Sequence, residues 1–408
     1  MKYFIERNKK YFENLDFSDI NLEQKNIFLE TFNKNKIIFV RWFSSKEKIN
    51  FISYIIKNSN LKNDYLYINK ELDLDNILKN NNSLEFFLRH IEDFYKKPKV
   101  IILENIDSIK NIEKFIDFLE KEKIKIIILS NTLKIKEKNI LYWYFFYKNK
   151  LNNFYKNINK KYKKLESENI IYKNIIEKYN LKNIDLYKYT LIFLAKNNKI
   201  KSIREINRNL NKVIKISLTT MMEYIKYSLE QFLIKQIFVF DFKKNKIIET
   251  KTKFYFYDTI FRNSLYNFEL SENILKQNHL FNILKQKNYK IFSWINWTYE
   301  FDFYWVSNNN SILNSFSLQE KEATNISTIF IDFAKSTEKK EIKKQINKLL
   351  KVPQIIAPLN PLNKGNMTQT FEKYLILDNA RNLWFTKLQY ENLKIVSFEE
   401  MIEILNKK

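Results

Sequence analysis

Three polar stretches, each directly after a run of apolar residues, are the parts of this chain with the clearest potential for chemistry. They are Arg41–Glu47, Glu104 with Asn105, and Ser130 with Asn131. Carboxylate and amide oxygens can hold Mg²⁺, and a lysine after a strand can bind phosphate. In parallel sheets ligands bind beyond the carboxyl ends of the strands. These three stretches are therefore candidates for a nucleotide site.

The elements that must position these residues follow from the pattern of apolar residues. Buried runs at 37–40, 65–68, 100–103 and 124–129 predict strands, and helical patterns lie between them, including Leu84–Tyr95 and Ile112–Leu119. Short apolar runs that alternate with helices predict βαβ units and a parallel sheet covered on both faces. The aromatic and basic stretch at 139–165 is interpreted as a connector.

Composition limits the classes of function. The 408 residues suit two or three domains, and hydrophobic residues make up 45%, which is enough for a buried core. Cysteine is absent, which excludes disulfides, thiolate zinc sites and cysteine nucleophiles. The two histidines form no catalytic triad, and Gly365 is the single glycine.

The positive charge of the chain has two possible explanations. The formal net charge of +25 favours contact with nucleic acid, but lysines spread along the whole chain are also what an AT-rich genome produces. No apolar run reaches the roughly 18–20 residues of a membrane span. The charged start of the chain has no signal-like apolar core. The sequence therefore predicts a cytoplasmic protein without a membrane span.

The order of the three strand ends is similar to that of AAA+-like ATPases. The whole chain resembles a family of bacterial and archaeal AAA+-like P-loop ATP-binding proteins that have a winged-helix middle domain and a C-terminal domain like PD-(D/E)xK nucleases. The resemblance implies an α/β fold: a three-layer parallel P-loop-type domain at 1–150, a connector and winged-helix domain at 151–248, and a restriction-endonuclease-like α/β domain at 249–408.

The family's motifs are largely replaced in this chain. The family's phosphate loop, G-x-x-x-x-G-K-[ST], falls on Trp42–Ile49, where only Lys48 matches. Its magnesium-binding Asp becomes Glu104, its catalytic Glu becomes Asn105, and its sensor asparagine is Asn131. The remnant nucleotide site is thus Arg41, Lys48, Glu104 and Asn131, with ATP and magnesium as its cofactors if it still works.

Physical chemistry predicts that these replacements weaken the site. Trp42 and the other non-glycine residues deny the loop the close backbone approach that a phosphate cradle needs. Glu47 repels a polyphosphate, and Ile49 has no hydroxyl for magnesium. Asn105 cannot accept a proton from an attacking water. The sequence therefore favours a protein that does not hydrolyse ATP.

The middle part of the chain predicts three helices followed by a hairpin, a winged-helix order, with Ser202 and Ser217 as N-caps. The helix that begins near Ser217 would expose four polar side chains: Thr219, Thr220, Glu223 and Lys226. Only one of them is basic. DNA binding and packing against a protein or a second copy both stay open.

The C-terminal part resembles the nuclease-like domain through Asp258, Arg262 and Asn263, and then through Glu272 at a helix start and Asp302 on a strand. In nuclease-type members such a Glu and Asp, with an E-x-K on the next strand, bind metal and activate water. The next predicted strand, ILNSFSLQ, offers Ser317 and Gln319 instead. Glu104, Asn105, Glu272 and Asp302 are therefore predicted to be remnants of catalytic positions, and no metal site is predicted.

The sequence thus predicts a degenerate AAA+-type protein without ATPase or nuclease activity that acts as a binding or scaffold module with a protein partner or with itself. Two alternatives remain. One is a slow ATPase that uses Lys48, Glu104 and Asn131, and the other is a nucleic-acid binder that uses the winged helix and the excess of lysine.

Overall fold

A computed structural model describes residues 2–14, 28–29, 32–33, 36–41, 45–57, 64–69, 98–104, 106, 112–130, 141–144, 160–197, 199–241, 246–286, 290–296, 299–306, 326–335, 338–350, 369–377 and 393–407. The chain divides into two compact units. Unit 1 comprises residues 1–148 and 230–232, and unit 2 comprises residues 149–229 and 233–408. None of the helices in the described ranges is both long and apolar enough to cross a membrane.

Unit 1 is built on a parallel sheet of five described strands: β1 (Ile37–Arg41), β2 (Tyr65–Asn69), β3 (Val100–Glu104), β4 (Lys125–Leu129) and β5 (Leu141–Tyr144). Their order across the sheet is β2-β3-β4-β1-β5, and all pairs are parallel. Every residue of β3 is buried, as expected for a parallel strand whose two faces are both covered. The α/β class and the parallel sheet predicted for this part of the chain are confirmed.

Three described helices accompany this sheet: α1 (Lys2–Glu13), α2 (Ser45–Lys57) and α3 (Ile112–Lys121). α2 holds the end of α1, because Ser53 Oγ donates to the Phe12 carbonyl at 3.0 Å and Lys57 Nζ donates to the Glu13 carbonyl at 2.7 Å. The last carbonyls of a helix lack partners within the helix, so these side chains satisfy them. The predicted helix at Leu84–Tyr95 lies outside the described residues.

β5 corrects the interpretation of residues 139–165 as a connector. Leu141–Tyr144 forms an edge strand parallel to β1, with Ile38 paired with Leu141 and Arg41 paired with Tyr144. The aromatic residues of this stretch suit a strand as well as they suit a linker that packs on a core. Its four residues gave too short a pattern for a strand to be recognised.

Unit 2 begins with helices. They are α4 (Lys160–Ile171), which continues as a π-helical turn (Tyr172–Glu177), then α5 (Ile184–Lys196), α6 (Ile203–Leu210) and α7 (Leu218–Glu230). The predicted N-cap at Ser202 is confirmed as a full capping box with Glu205. Ser217 Oγ likewise accepts a hydrogen bond from the Thr220 backbone N–H at 3.0 Å, which confirms the second predicted cap.

The second sheet is mixed and contains eight described strands: β6 (Lys201–Ser202), β7 (Ile234–Asp241), β8 (Lys246–Phe256), β9 (Lys290–Asn296), β10 (Tyr299–Val306), β11 (Ile326–Phe333), β12 (Gln369–Ile376) and β13 (Leu393–Val396). Their order is β13-β12-β11-β10-β9-β7-β8-β6. The pairs β7–β9, β11–β12 and β12–β13 are parallel, and the others are antiparallel.

The hairpin β7–β8 belongs to this sheet, because Val239–Asp241 of β7 pairs with Ser293–Ile295 of β9. β8 runs through residues 248 and 249, where the sequence predicts a domain boundary, and its first half is mostly exposed and polar.

Helices cover both faces of the second sheet. α9 (Glu272–Gln286) and α11 (Phe398–Lys407) pack on one face, with Phe281 and Met401 in a core that includes Phe303 and Tyr374. α10 (Lys339–Leu350) packs on the other face with Trp294, Phe301 and Phe330. The short helix α8 (Thr259–Ser264) follows β8. The predicted closing strand and helix at residues 393–405 are confirmed.

Candidate functional site

The carboxyl ends of β1, β4 and β3 lie side by side in the first sheet, where the sequence predicts the candidate nucleotide site. Val40 of β1 is paired with Leu129 of β4, and Leu129 is paired with Glu104 of β3. Arg41 ends β1, and Ser130 follows β4. After β1 the chain continues to β2 on one side of the sheet, and after β4 it continues to β5 on the other side. The carboxyl ends of β1 and β4 therefore form the topological switch point. Open α/β sheets bind their ligands at such an edge.

The connection between β1 and α2 is much shorter than a phosphate-binding loop. Only residues 42–44 lie between Arg41 at the end of β1 and Ser45 at the start of α2. Lys48 is therefore already within the first turn of the helix. A phosphate cradle consists of several consecutive backbone N–H groups in a loop before the helix. When Trp42–Ile49 is aligned with that loop, the motif positions at residues 45–49 fall inside α2.

Four predicted positions of the nucleotide site fall partly or wholly outside the described structure. For Arg41 and Lys48 the backbone is described and the side chain is not, and Asn105 and Asn131 are outside the described residues altogether. Glu104 is the predicted residue whose side chain can be followed.

Glu104 is buried, with 3% of its surface exposed. Its Oε2 atom accepts hydrogen bonds from Asn69 Nδ2 at 3.2 Å and from the Tyr67 hydroxyl. Tyr67 and Asn69 are two residues apart on β2 and so point to the same face, and Asn69 is the register partner of Glu104. Burial, helped by the charge of Glu104, raises the pKa of Tyr67, so its phenol stays protonated and remains a hydrogen-bond donor.

Aromatic residues of α1 fix the orientation of Tyr67. Its ring centroid lies 4.9 Å from that of Phe12 and 6.0 Å from that of Tyr11, with which it is stacked. Offset and stacked aromatic contacts at these distances are favourable. Because the core of unit 1 holds Tyr67 in place, the hydrogen bond to Glu104 is part of the packed interior.

In unit 2, Asp302 lies at a β-bulge in β10. Phe301 is paired with Trp294 and Tyr304 with Phe292, so one extra residue on β10 faces β9. As a consequence, the Phe301 ring lies on the sheet face covered by α10, where its centroid is 3.5 Å from that of Trp294. Phe303 lies in the core on the opposite face, which α9 covers. A bulge changes the direction of a side chain, and here that side chain is a carboxylate.

Both oxygens of Asp302 are engaged. Oδ1 accepts a hydrogen bond from Lys253 Nζ at 2.7 Å, and Oδ2 accepts one from the Phe333 backbone N–H at 3.1 Å. Lys253 Nζ also donates to Gln277 Oε1 of α9 at 3.3 Å. The side chains of Lys253 and Asp302 are only 3% and 8% exposed. This is a buried ion pair, in which loss of one partner leaves an uncompensated charge in the core.

Asp332, on β11, is a second buried carboxylate and was not predicted from the sequence. It is fully buried, and its Oδ2 accepts a hydrogen bond from Gln345 Nε2 of α10 at 2.5 Å. Its Oδ1 has no hydrogen-bond partner among the described residues, and Lys335 Nζ lies 4.0 Å away. Phe303 pairs with Ile331, so the register sets Asp302 opposite Asp332.

The two carboxylates differ in protonation. Burial alone would raise the pKa of Asp302, but the charges of Lys253 and Lys335 and the hydrogen bonds to the carboxylate outweigh it, so its pKa lies below the ordinary value. Burial and the neighbouring charge of Asp302 hold the pKa of Asp332 well above its ordinary value. The two pKa values are thus shifted in opposite directions, and Lys253 is the partner of the carboxylate whose charged form is favoured.

Glu272 does not join Asp302. It begins α9, its side chain is 68% exposed, and its Oε1 lies 2.8 Å from Lys276 Nζ. No group of three His, Cys, Asp or Glu side chains in the described ranges could hold a metal ion. The nuclease-like resemblance implies a metal at Asp302 and Glu272, but these residues do not fit one, because Asp302 is neutralised by Lys253 and Glu272 is paired at the surface.

The motif residues Asp258, Arg262 and Asn263 have structural roles. Asp258 caps α8 by accepting from the backbone N–H groups of Ile260 and Phe261 at 2.5 and 2.9 Å. The buried guanidinium of Arg262 donates through Nε and Nη2 to the Ala195 carbonyl in the last turn of α5, at 3.0 and 2.8 Å. Cations are favoured at helix C-termini. Burial nevertheless lowers the pKa of Arg262 to about 10.

Sequence reasoning missed Lys253, Asp332, Lys335 and Gln345. The predicted strand with Ser317 and Gln319 lies outside the described residues, and the described strand beside β10 is β11. A signal was present, since an acidic residue stands in an otherwise apolar run in IFIDFAK, with a lysine three positions later. Lys253 had no comparable signal, because it is one lysine among many in a polar stretch.

Comparison with known proteins adds little to this picture. No protein-family model and no curated protein matches the chain. Among solved structures, that of the restriction endonuclease FokI is similar over 56% of this chain, with 12% sequence identity and a TM-score of 0.19. The matched region spans 45% of the FokI chain. A likeness at this TM-score carries no argument about fold or function.

Proposed function

We propose that this chain is a binding or scaffold protein of AAA+-like ancestry that neither hydrolyses ATP nor cleaves nucleic acid. The observation that carries the proposal is the state of Glu104, the residue at the position of the family's magnesium ligand. It is buried and accepts hydrogen bonds from Tyr67 and Asn69 within the core of the sheet. A carboxylate held in this way is a structural group and is poorly placed to bind a hydrated cation.

The short connection after β1 supports the same proposal. Residues 42–44 are too few to surround a triphosphate with backbone N–H groups, and glycine is absent from residues 41–49. The strand order still contains a topological switch point between β4 and β1, the place at which open α/β sheets bind ligands. The proposed role of unit 1 is therefore to present a nucleotide-fold surface to a partner protein or to a second copy, without turnover.

An ATPase assay tests this proposal. We expect no phosphate release above background from the full chain with ATP and Mg²⁺, and the same background from Lys48→Ala and Glu104→Gln. These variants separate the proposed function from the alternative of a slow ATPase, which uses Lys48 and Glu104. Turnover that falls at least tenfold in either variant would contradict the proposal.

Binding of nucleic acid is a second candidate function, because one part of unit 2 favours it. α5, β6, α6, α7 and the hairpin β7–β8 follow each other in winged-helix order, and β6 pairs with β8. Residues 199–256 carry thirteen basic and five acidic side chains, a denser positive charge than the chain average. Lys246 and Lys251 of β8 and Lys226 of α7 are exposed. Such a basic surface attracts phosphate groups.

Salt dependence of binding tests this second candidate. If the surface binds duplex DNA, Lys246→Glu with Lys251→Glu should lower affinity about tenfold or more and reduce the slope of log K against log salt by about 2. Lys340→Glu with Lys343→Glu, which changes two exposed lysines on α10 of the same unit, is the matched control. Equal loss in both double variants would mean that binding follows net charge and not this surface.

A further inference from the structure

We propose that unit 2 binds single-stranded nucleic acid on an aromatic surface formed by Tyr189, Phe193, Lys196, Lys201 and Phe238. On this surface the aromatic rings stack on unpaired bases and the lysines contact phosphate groups. The inference rests on the second candidate function, the binding of nucleic acid, and adds to it the class of ligand and the residues that select this class.

Phe238 lies on a part of the second sheet that no described helix covers fully. It is 40% exposed, although Phe240, two residues later on β7, is buried in the core under α10. Side chains two residues apart on a strand point to the same face. Phe238 is paired with Thr252 of β8, and Thr252 is paired with Lys201 of β6. Directly paired residues share a face, so Lys201 and Phe238 belong to one row on this face.

One side of α5 supplies the other two aromatic residues. Tyr189, Phe193 and Lys196 are spaced by four and then three residues, which places them on the same side of the helix. Tyr189 is 49% exposed, Phe193 is half-buried and Lys196 is exposed. Lys201 Nζ lies 6.0 Å from the centroid of the Phe193 ring. This lysine therefore joins the side of α5 to the row that contains Phe238.

The charge of the aromatic surface suits a polyanion. Within the described ranges, neither Lys196 nor Lys201 has a carboxylate at ion-pair distance. Lys196 Nζ donates to the Tyr266 hydroxyl at 2.7 Å, and an ammonium has two further donors for a phosphate. The single acidic residue of α5, Asp185, lies in its first turn, and Glu205 of α6 is engaged in the capping box. Positive charge therefore prevails around the rings.

The combination of exposed rings and lysines favours a single strand over a duplex. In a duplex the faces of the bases are stacked on each other, whereas unpaired bases can stack on aromatic side chains. Aromatic residues on an open sheet face are used in this way by sheet-based RNA-binding modules. A duplex would contact the lysines and leave the rings of Tyr189 and Phe238 without a partner.

The experiment measures the fluorescence anisotropy of labelled probes with the full chain. The probes are a strand of about 15 thymidines, a strand of equal length with abasic sugars, and a duplex of equal length. We expect the thymidine strand to bind about tenfold or more tightly than the other two probes. Phe238→Ala and Tyr189→Ala should each weaken its binding about fivefold or more, and should leave binding of the abasic strand unchanged.

Control variants separate stacking from charge and from folding. Tyr172→Ala removes a ring that is 50% exposed on the π-helical turn after α4, and it should bind like wild type. Phe238→Tyr keeps a ring and should also bind like wild type. Lys201→Gln should reduce the slope of log K against log salt by about 0.7, the value for one phosphate contact on a single strand. If Phe238→Ala does not fold, Tyr189→Ala on the helix surface decides.

Three results would overturn the inference. They are equal affinity for the thymidine and abasic strands, a duplex bound as tightly as the thymidine strand, and unchanged affinity of Phe238→Ala and Tyr189→Ala. Duplex binding that depends on Lys246 and Lys251 would in each case leave the second candidate function standing. Absence of binding to all three probes would contradict both that function and the inference.

Discussion

Each unit buries a carboxylate in its sheet, Glu104 at the end of β3 and Asp302 at the bulge of β10, and the two are satisfied in different ways. In unit 1 Glu104 accepts hydrogen bonds from two neutral donors, Tyr67 and Asn69. In unit 2 Asp302 is paired with the charged group of Lys253. The bonds to Glu104 both go to Oε2, whereas both oxygens of Asp302 are engaged. The two arrangements also differ in what happens when the partner is removed.

Neutral donors and an ion pair have different energetic consequences. A hydrogen bond from an uncharged donor to a carboxylate contributes about 1.5–3 kcal/mol, and the carboxylate can take up a proton if the donor is lost. Breaking a buried ion pair costs about 3–5 kcal/mol, because the remaining charge stays in the core. The comparison teaches that unit 2 depends on its internal cation more than unit 1 depends on its hydrogen bonds.

The largest effect should come from Lys253→Met. We expect it to lower the free energy of unfolding by about 3–5 kcal/mol, because the carboxylate of Asp302 stays buried without its cation. Lys253→Met combined with Asp302→Leu removes both charges and should recover most of the loss. Urea unfolding of the two variants, with Lys235→Met as the control, measures this. A double variant no more stable than the single one would show that packing and not charge is decisive.

The pH dependence of Asp332→Asn tests the difference in protonation within unit 2. Because the pKa of Asp332 is raised in the folded state, the folded protein keeps a proton that the unfolded protein releases. Asp332 therefore lowers the free energy of unfolding of wild type as the pH rises above the ordinary aspartate pKa of about 4. The free energy of unfolding of Asp332→Asn relative to wild type should therefore increase by up to about 1.4 kcal/mol per pH unit. The increase should stop where the pH passes the pKa of Asp332 in the folded state.

Unfolding free energies of wild type and Asp332→Asn between pH 4 and 8 provide the measurement. Glu403→Gln, which changes an exposed carboxylate of α11, is the control and should run parallel to wild type. If the difference between Asp332→Asn and wild type is constant over this range, the pKa of Asp332 is not raised as described.

A smaller effect is expected in unit 1 from Tyr67→Phe. The variant keeps the ring contacts with Phe12 and Tyr11 and loses the hydroxyl that donates to Glu104. We expect a loss of about 1.5–3 kcal/mol in the free energy of unfolding. Tyr54→Phe, which removes a hydroxyl from a half-buried tyrosine on α2, is the control. A loss as large as that of Lys253→Met would erase the proposed difference between the units.

The smallest effect is predicted for Lys48→Ala. The connection before α2 has only three residues and no glycine, which gives Lys48 no phosphate cradle to complete. We expect the change in unfolding free energy to stay within about 0.5 kcal/mol, with ATP having no effect on the midpoint of either protein. A midpoint that ATP raises in wild type but not in Lys48→Ala would show a working nucleotide site in unit 1.

Local sequence patterns were enough to predict a large part of the secondary structure. The apolar runs at 37–40, 100–103 and 124–129 predicted buried parallel strands, because a strand covered on both faces has no polar positions. Ser202 and Ser217 were predicted as caps because their hydroxyls bond within three residues. Residues 141–144 were misinterpreted as part of a connector, since a short edge strand depends on a partner that is distant in sequence.

The sequence by itself determined the α/β class, several of the buried strands, and that Glu104 and Asp302 would end or lie in strands. Only the tertiary structure decided what those carboxylates contact. Tyr67 is 37 residues from Glu104, and Lys253 is 49 residues from Asp302. Such pairs follow from strand order, register and a bulge, which arise from contacts between distant segments. The chemistry left to each carboxylate was therefore set by the partner that the fold brought to it.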